Sequence, residues 1–294
     1  MHIPVLTKEV LEYLDPEPNE NFVDCTIGGA GHAIYILERN KPEGKVLGID
    51  QDLEQIKNCK AKLKNFSKRL VLVCDNFKSL EKIVEKEDFK SVSGILFDLG
   101  MSSYHPKESK RGFTFLKDEP LDMRYSSQNF LTAQEIINNW EKSEIERILK
   151  EYGQERFAKR IAKEIISARK LKIIQTTFQL VEIIKRSTPP WYHHQKIHFA
   201  TRSFQALRIT ANDELGSLEK TLPQALKVLE KGGRLVVISF HSLEDKIVKN
   251  FFKKKDKEGS LRILTKKPIR PQKKELKMNP ASRSAKLRAA KKII

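Results

Sequence analysis

The 294-residue chain carries 56 Lys and Arg against 38 Asp and Glu, a formal charge of +18, and only three cysteines. A chain of this length holds one large α/β domain, or a medium one with a smaller one inserted or appended. No apolar stretch approaches the eighteen or so residues of a membrane span, no signal-peptide pattern opens the sequence, and Cys25, Cys59 and Cys74 lack both CxxC spacing and paired histidines. Secretion, membrane insertion, a disulfide framework and a metal site are therefore not expected, and a cytoplasmic location is.

From residue 22 to 98, short apolar runs at 22–27, 45–50, 69–74 and 94–98 alternate with helical patterns near 31–39, 52–64 and 78–87. Gly or Asp stands at nearly every junction. This rhythm predicts four parallel strands joined by single helices, with a ligand crevice at the strand C-terminal ends. From about 106 to 209 the pattern is helical without a convincing strand. Strand character returns at 233–240 and, more weakly, at 261–265 and 282–287. The expected architecture is an α/β sheet domain of residues 1–106 and 211–294, interrupted by an all-helical domain of residues 107–210.

The first strand runs into Gly28-Gly29-Ala30-Gly31-His32 and then a helix. Such a turn lets backbone approach a ligand and offers free N–H groups to an anion. It is not the GxGxxG of dinucleotide enzymes, so a smaller anion such as an amino-acid carboxylate fits better. Asp50 closes the second strand, where a carboxylate can accept from both ribose hydroxyls of a nucleoside. Phe77, just past the third strand, can pack on an adenine face or in the core. Together with the turn, these positions point to a nucleoside cofactor. Strand four delivers Asp98 to the crevice and turns through Leu99-Gly100-Met101-Ser102-Ser103.

DLGMSS at 98–103, RGFTF at 111–115, PLDMR at 120–124, YGQERFAKRIAKEI at 152–165, HFATRSFQALRI at 198–209, GGRLVVISFHSLEDKIVK at 232–249 and NPASRSAKLR at 279–288, with the HIPVL start at 2–6, resemble the ribosomal RNA small-subunit methyltransferase H family over nearly the whole chain. The resemblance implies a Rossmann-like class I methyltransferase sheet and transfer of the S-adenosylmethionine methyl group to N4 of a cytidine in the decoding region of small-subunit ribosomal RNA. It also implies cofactor contacts at Ala30, Gly31, His32, Asp50, Phe77, Asp98 and His105. The expected partner is that RNA or the assembling small subunit, with a second copy of the chain carried as a further candidate.

A cytosine amine is a poor nucleophile, so an acceptor for its N–H and in-line placement of the methyl are what the chemistry asks for. Asp98 and the 99–103 turn, with Ser102 in it, are the candidates. His241, at the end of the strand at 233–240, is a candidate for substrate contact or proton removal, or a structural histidine. Phe113 can stack on an extruded base or pack in the core. Arg156, Lys159, Arg160 and Lys163 recur at helix spacing opposite Phe157, Ala158, Ile161 and Ile165, a face that contacts RNA or is merely solvated. Trp191-Tyr192-His193-His194 offers stacking surface or anchors a loop. The segment 250–294 holds 16 Lys and Arg against 3 Asp and Glu and supplies +13 of the net charge, which suits a polyanion or a solvated tail. A nicotinamide oxidoreductase would want GxGxxG, and a non-catalytic RNA-binding protein would not need Asp50, Phe77 and Asp98 around a glycine turn. A methyltransferase acting on another RNA, on DNA or on protein remains open.

Overall fold

A computed structural model of the chain describes residues 4–102 and 104–294. His2 and Ile3 of the HIPVL start and Ser103 of the turn after Asp98 lie outside the described residues. The chain divides into two compact units, Met1–Met101 with Leu215–Ile294, and Ser102–Glu214. The divisions fall at 101/102 and 214/215, where the sequence had suggested 106/107 and 210/211.

Among the described residues the first unit is built on seven strands: β1 (Asn21–Asp24), β2 (Val46–Asp50), β3 (Leu70–Cys74), β4 (Val92–Asp98), β5 (Leu229–Ser239), β6 (Leu261–Ile263) and β7 (Lys286–Lys292). Their order is β3-β2-β1-β4-β5-β7-β6, with β7 antiparallel to both neighbours and the first five parallel. This is the class I methyltransferase sheet. Chain direction reverses its order beside β1, so the crevice expected in such sheets opens at the C-terminal ends of β1 and β4.

Helices α1 (Thr7–Leu14), α2 (Gly31–Arg39), α3 (Leu53–Lys62) and α4 (Leu80–Lys86) come first in the chain. The second unit holds α5 (Tyr104–Lys107), α6 (Ala133–Asn139), α7 (Lys142–Glu151), α8 (Ala158–Leu171), α9 (Thr177–Ser187), α10 (Pro190–His193) and α11 (Thr201–Asn212), with one isolated β-bridge between Pro120 and Thr176. Helices α12 (Glu214–Val228), α13 (Ser242–Lys257) and α14 (Lys273–Met278) follow.

The period-two alternation of the strands divides the core into two layers. Phe22, Val46, Leu96, Val236, Ile238 and Leu287 face Val10, Leu14, Ala33, Ile36 and Cys59 of α1 to α3. Their neighbours Val23, Leu47, Ile49, Ile95, Phe97 and Val237 face Leu80, Leu218, Leu222, Val248 and Phe252 of α4, α12 and α13. Both faces of the parallel strands are covered, which is why those strands read as continuous apolar runs. The boundaries that differ most from the sequence pattern are those of β1, β5 and β7. β1 stops at Asp24, and 25–27 belong to the turn. β5 begins at Leu229, and the last strand is β7, Lys286–Lys292, preceded by a 3₁₀ turn at Pro280–Ser284. No helix among the described residues is long and apolar enough to cross a membrane.

Candidate active site

Beyond Asp24 the chain turns through Cys25 to Ala30 and enters α2. Gly28 and Ala30 are left-handed in this turn, with φ +44° and +62°. A Cβ placed at Gly29 would meet nothing within 4 Å, so the turn presents bare backbone to open space. Gly31 is glycine for a different reason. A Cβ there would stand 2.9 Å from the Pro4 ring, so its missing side chain makes room for the N-terminal segment and not for a ligand.

Asp50 sets the shape of the turn. Its Oδ2 accepts the Gly28 N–H at 3.0 Å and its Oδ1 accepts the Asp52 N–H at 2.9 Å. Asp52 in turn caps α3 by accepting the Glu54 N–H.

Asp98 stands at the end of β4 with its side chain 18% exposed. Its backbone N–H donates to Thr26 Oγ1 at 2.7 Å, and its Oδ1 accepts the Gly100 N–H at 3.4 Å. Asp98 Oδ2 lies 3.4 Å from His32 Nε2. His32 is 5% exposed, and neither of its ring nitrogens makes a hydrogen bond among the described residues, so the approach to Asp98 is a close contact without hydrogen-bond geometry. An unsatisfied buried ring beside an open glycine turn is expensive in isolation and is relieved by a polar ligand.

Two residues here, Asp24 and Thr26, were not among the candidates drawn from the sequence. Asp24 is buried, and its Oδ1 accepts the Thr26 N–H at 3.1 Å. Burial pushes its carboxyl up to about 7; His32 and the Thr26 N–H pull it down, and Asp98 and Asp50 add to the rise. Asp24 thus fixes the Thr26 backbone while the Thr26 hydroxyl fixes the end of β4. The three residues form one chain of contacts from β1 to Asp98.

Phe77 opens a 3₁₀ turn after β3, half-buried, its ring edge-on to Phe97 at 5.6 Å and its carbonyl accepting the Thr221 hydroxyl. His241 follows β5 as the N-cap of α13. Its Nδ1 accepts the Glu244 N–H at 3.4 Å, while Glu244 Oε2 accepts the N–H groups of Phe240 and His241. This reciprocal box gives Nδ1 the structural role that the sequence left open beside substrate contact or proton removal, while Nε2 stands 3.0 Å from Glu244 Oε1.

The remaining candidates belong to the helical unit. Ser102 opens it, its Oγ accepting the Tyr104 N–H at 3.4 Å and its carbonyl accepting the His105 N–H at 3.0 Å. His105 is buried among Tyr104, Phe113 and Tyr125, with ring centroids 5.7, 5.0 and 4.8 Å away. Phe113 stacks on Tyr125 at 5.1 Å, has the Arg111 guanidinium 5.9 Å from its ring centre and is 8% exposed. Its ring is packed against Tyr125 and His105, one of the two fates the sequence left open to it, and offers little surface to an extruded base. Lys159, Arg160 and Lys163 are exposed on α8, opposite buried Ala158, Ile161 and Ile165. Arg156 is also exposed but precedes the helix, because α8 begins at Ala158 with Phe157 as its N-cap.

The whole chain from residue 1 to 293 matches the family model described as the MraW methylase family. The chain belongs to that family. A relative from Sulfurihydrogenibium sp. (strain YO3AOP1) named ribosomal RNA small subunit methyltransferase H is 48% identical over 99% of both chains. One of the same name from Persephonella marina is 45% identical, again over 99% of both. Among solved structures, a candidate rRNA methylase from Clostridium thermocellum shares the fold over the full length of both chains, at a TM-score of 0.50 and 14% identity. As an MraW methylase the chain is a methyltransferase with S-adenosylmethionine as its methyl donor.

Proposed function

We propose that this methyltransferase modifies small-subunit ribosomal RNA in the cytoplasm, placing a methyl group on N4 of a cytidine in the decoding region. The observation that carries the reading is the contact chain Asp24–Thr26–Asp98 beside the open glycine turn and the unsatisfied His32 ring. S-adenosylmethionine, when bound, supplies an electrophilic methyl on a cationic sulfonium. The backbone of Ala30 and Gly31 and the ring of His32 suit its amino-acid end, Asp50 its ribose hydroxyls and Phe77 its adenine; the family resemblance adds His105.

The acceptor nitrogen must lose one proton for the methyl it gains. Thr26 fixes the Asp98 backbone at the end of β4 and the Gly100 N–H meets its carboxylate, so that carboxylate is placed to take a hydrogen bond from the amine. Ser102, four residues on, is the second candidate for orienting that amine. Arg156, Lys159, Arg160 and Lys163 are assigned to the RNA backbone. The assembling small subunit is the proposed substrate particle, and self-association is proposed only as a homodimer.

Methyl-labelled cofactor incubated with small subunits that lack the modification tests the reading, followed by nucleoside analysis of the digested RNA. Label in N4-methylcytidine is the expected result. Label in another nucleoside, in DNA or in protein would replace the substrate assignment, and label nowhere would remove it.

A further inference from the structure

We infer that the helical unit carries a docking surface for single-stranded RNA, with Trp191 as its base-stacking platform. Trp191 is 52% exposed. Phe157 and Tyr192 stand steeply against it, at 60° and 81° with centroids 5.9 and 5.8 Å away, so neither ring lies flat on the indole. The Arg156 guanidinium lies over one face of the indole, 5.7 Å from its centre, and that of Arg160 lies over the Phe157 ring at 5.8 Å. A half-exposed indole backed by aromatic rings, with a guanidinium on one face, is an arrangement that takes an unpaired base on its other face and a phosphate beside the cation.

Two acidic side chains of this region are buried or paired. Glu155, next in the chain to Arg156, is buried, with its Oε1 accepting the Phe157 N–H and its Oε2 accepting the Tyr192 hydroxyl at 2.8 Å. Burial, and then that bond, raise the Tyr192 phenol to about 12. Glu155 therefore locks the aromatic cluster in place from beneath and turns no charge outward. Glu164 is paired with Arg186 at 2.9 Å. Lys159 and Lys163 continue the cationic row along the exposed side of α8. A row of cations leading away from a stacking platform tracks one strand, whereas a duplex keeps its bases stacked inward and offers the indole no face.

The surface rests on the assignment of RNA as substrate and sharpens it to a single-stranded segment. Trp140→Phe leaves Trp191 as the sole tryptophan, so its fluorescence reports directly. A single-stranded uridine oligomer of about ten nucleotides should quench it saturably, the blunt duplex of that oligomer with its complement should bind more weakly, and polyglutamate at equal charge should not quench. Trp191→Ala should weaken the oligomer roughly tenfold or more, while Trp191→Phe recovers most of the affinity. Lys159→Glu with Lys163→Glu should flatten the dependence on log salt. An absent quench, an unchanged affinity in Trp191→Ala, or equal binding of polyglutamate would overturn the surface. Oligomer binding needs no methyl transfer, so its failure leaves the proposed reaction standing, and failed methylation leaves the surface standing.

Discussion

Asp50 serves the site through backbone donors on two sides, Gly28 in the turn and Asp52 at the start of α3. Asp50→Ala removes both acceptors and should weaken S-adenosylmethionine by about 1–3 kcal/mol, the range for lost hydrogen bonds to a charged group. Calorimetry on the folded variant checks this, and unchanged affinity would take Asp50 out of the site. Asp24 makes a prediction in pH. Its carboxyl titrates near 7 when folded against the ordinary 3.8, so the folded state binds the proton more tightly and stability falls as pH rises from about 4 to about 7. Asp24→Asn keeps the shape and removes the charge. Its stability advantage over the parent should be small near pH 4 and level off above about pH 7 at a few kcal/mol; a difference independent of pH would contradict the burial of an ionising carboxyl. Asp50 and Asp98 were legible from sequence because a carboxylate ending an apolar strand of a parallel sheet reaches the crevice wherever the strand sits. Thr26 was not, since its value lies in a bond to Asp98, 72 positions away, and no local pattern records such a partner. Phe113 was left open between a base and the core for the same reason: the residues it packs on, Tyr125 and His105, are not recorded in the Gly112 and Thr114 beside it.

At the level of elements, periodicity located the four parallel strands but blurred their ends. Residues 25–27 read as strand because pairing continues there, with Cys25 N–H donating to Leu96 and Ile27 N–H to Ile49, although the backbone has already left extended geometry. The start of α8 shifted because Arg156 and Phe157 sit in the turn before it and still keep the helical spacing of their side chains. His241 could have been recognised from Glu244 three positions on, but histidine takes the place of the usual Ser or Thr in that box. The basic C-terminal segment is more ordered than a charge run suggests. Lys286 and Arg288 of β7 pair with Asp245 on α13 at 3.3 and 2.7 Å, and Lys255 pairs with Glu258 at 2.6 Å. The exposed cations to test are therefore Lys253 and Lys254. Changed together to Glu, they should weaken RNA binding and lower the slope of log affinity on log salt by somewhat under one unit per lost phosphate contact. Cofactor affinity should not move. A salt slope equal to that of the parent would mean that the end of α13 touches no phosphate, leaving RNA contact to the helical unit.

In the whole molecule, the sheet unit carries the strand-end carboxylates and the helical unit carries the exposed arginines and Trp191. This fits the proposed division between moving a methyl group and holding a strand. That division was visible in the sequence as a change from alternating β and α patterns to helices alone, although the points of division were not. Methyl transfer is proposed to depend on a carboxylate fixed at the end of β4, and the direct measurement is single-turnover methylation of unmodified small subunits by Asp98→Ala at saturating S-adenosylmethionine. Cofactor and RNA affinities are measured on the same preparation. Asp98→Ala should fold, retain its RNA affinity and lose turnover by about a hundredfold or more. A normal single-turnover rate with cofactor saturating would contradict the placement of the reacting amine at Asp98.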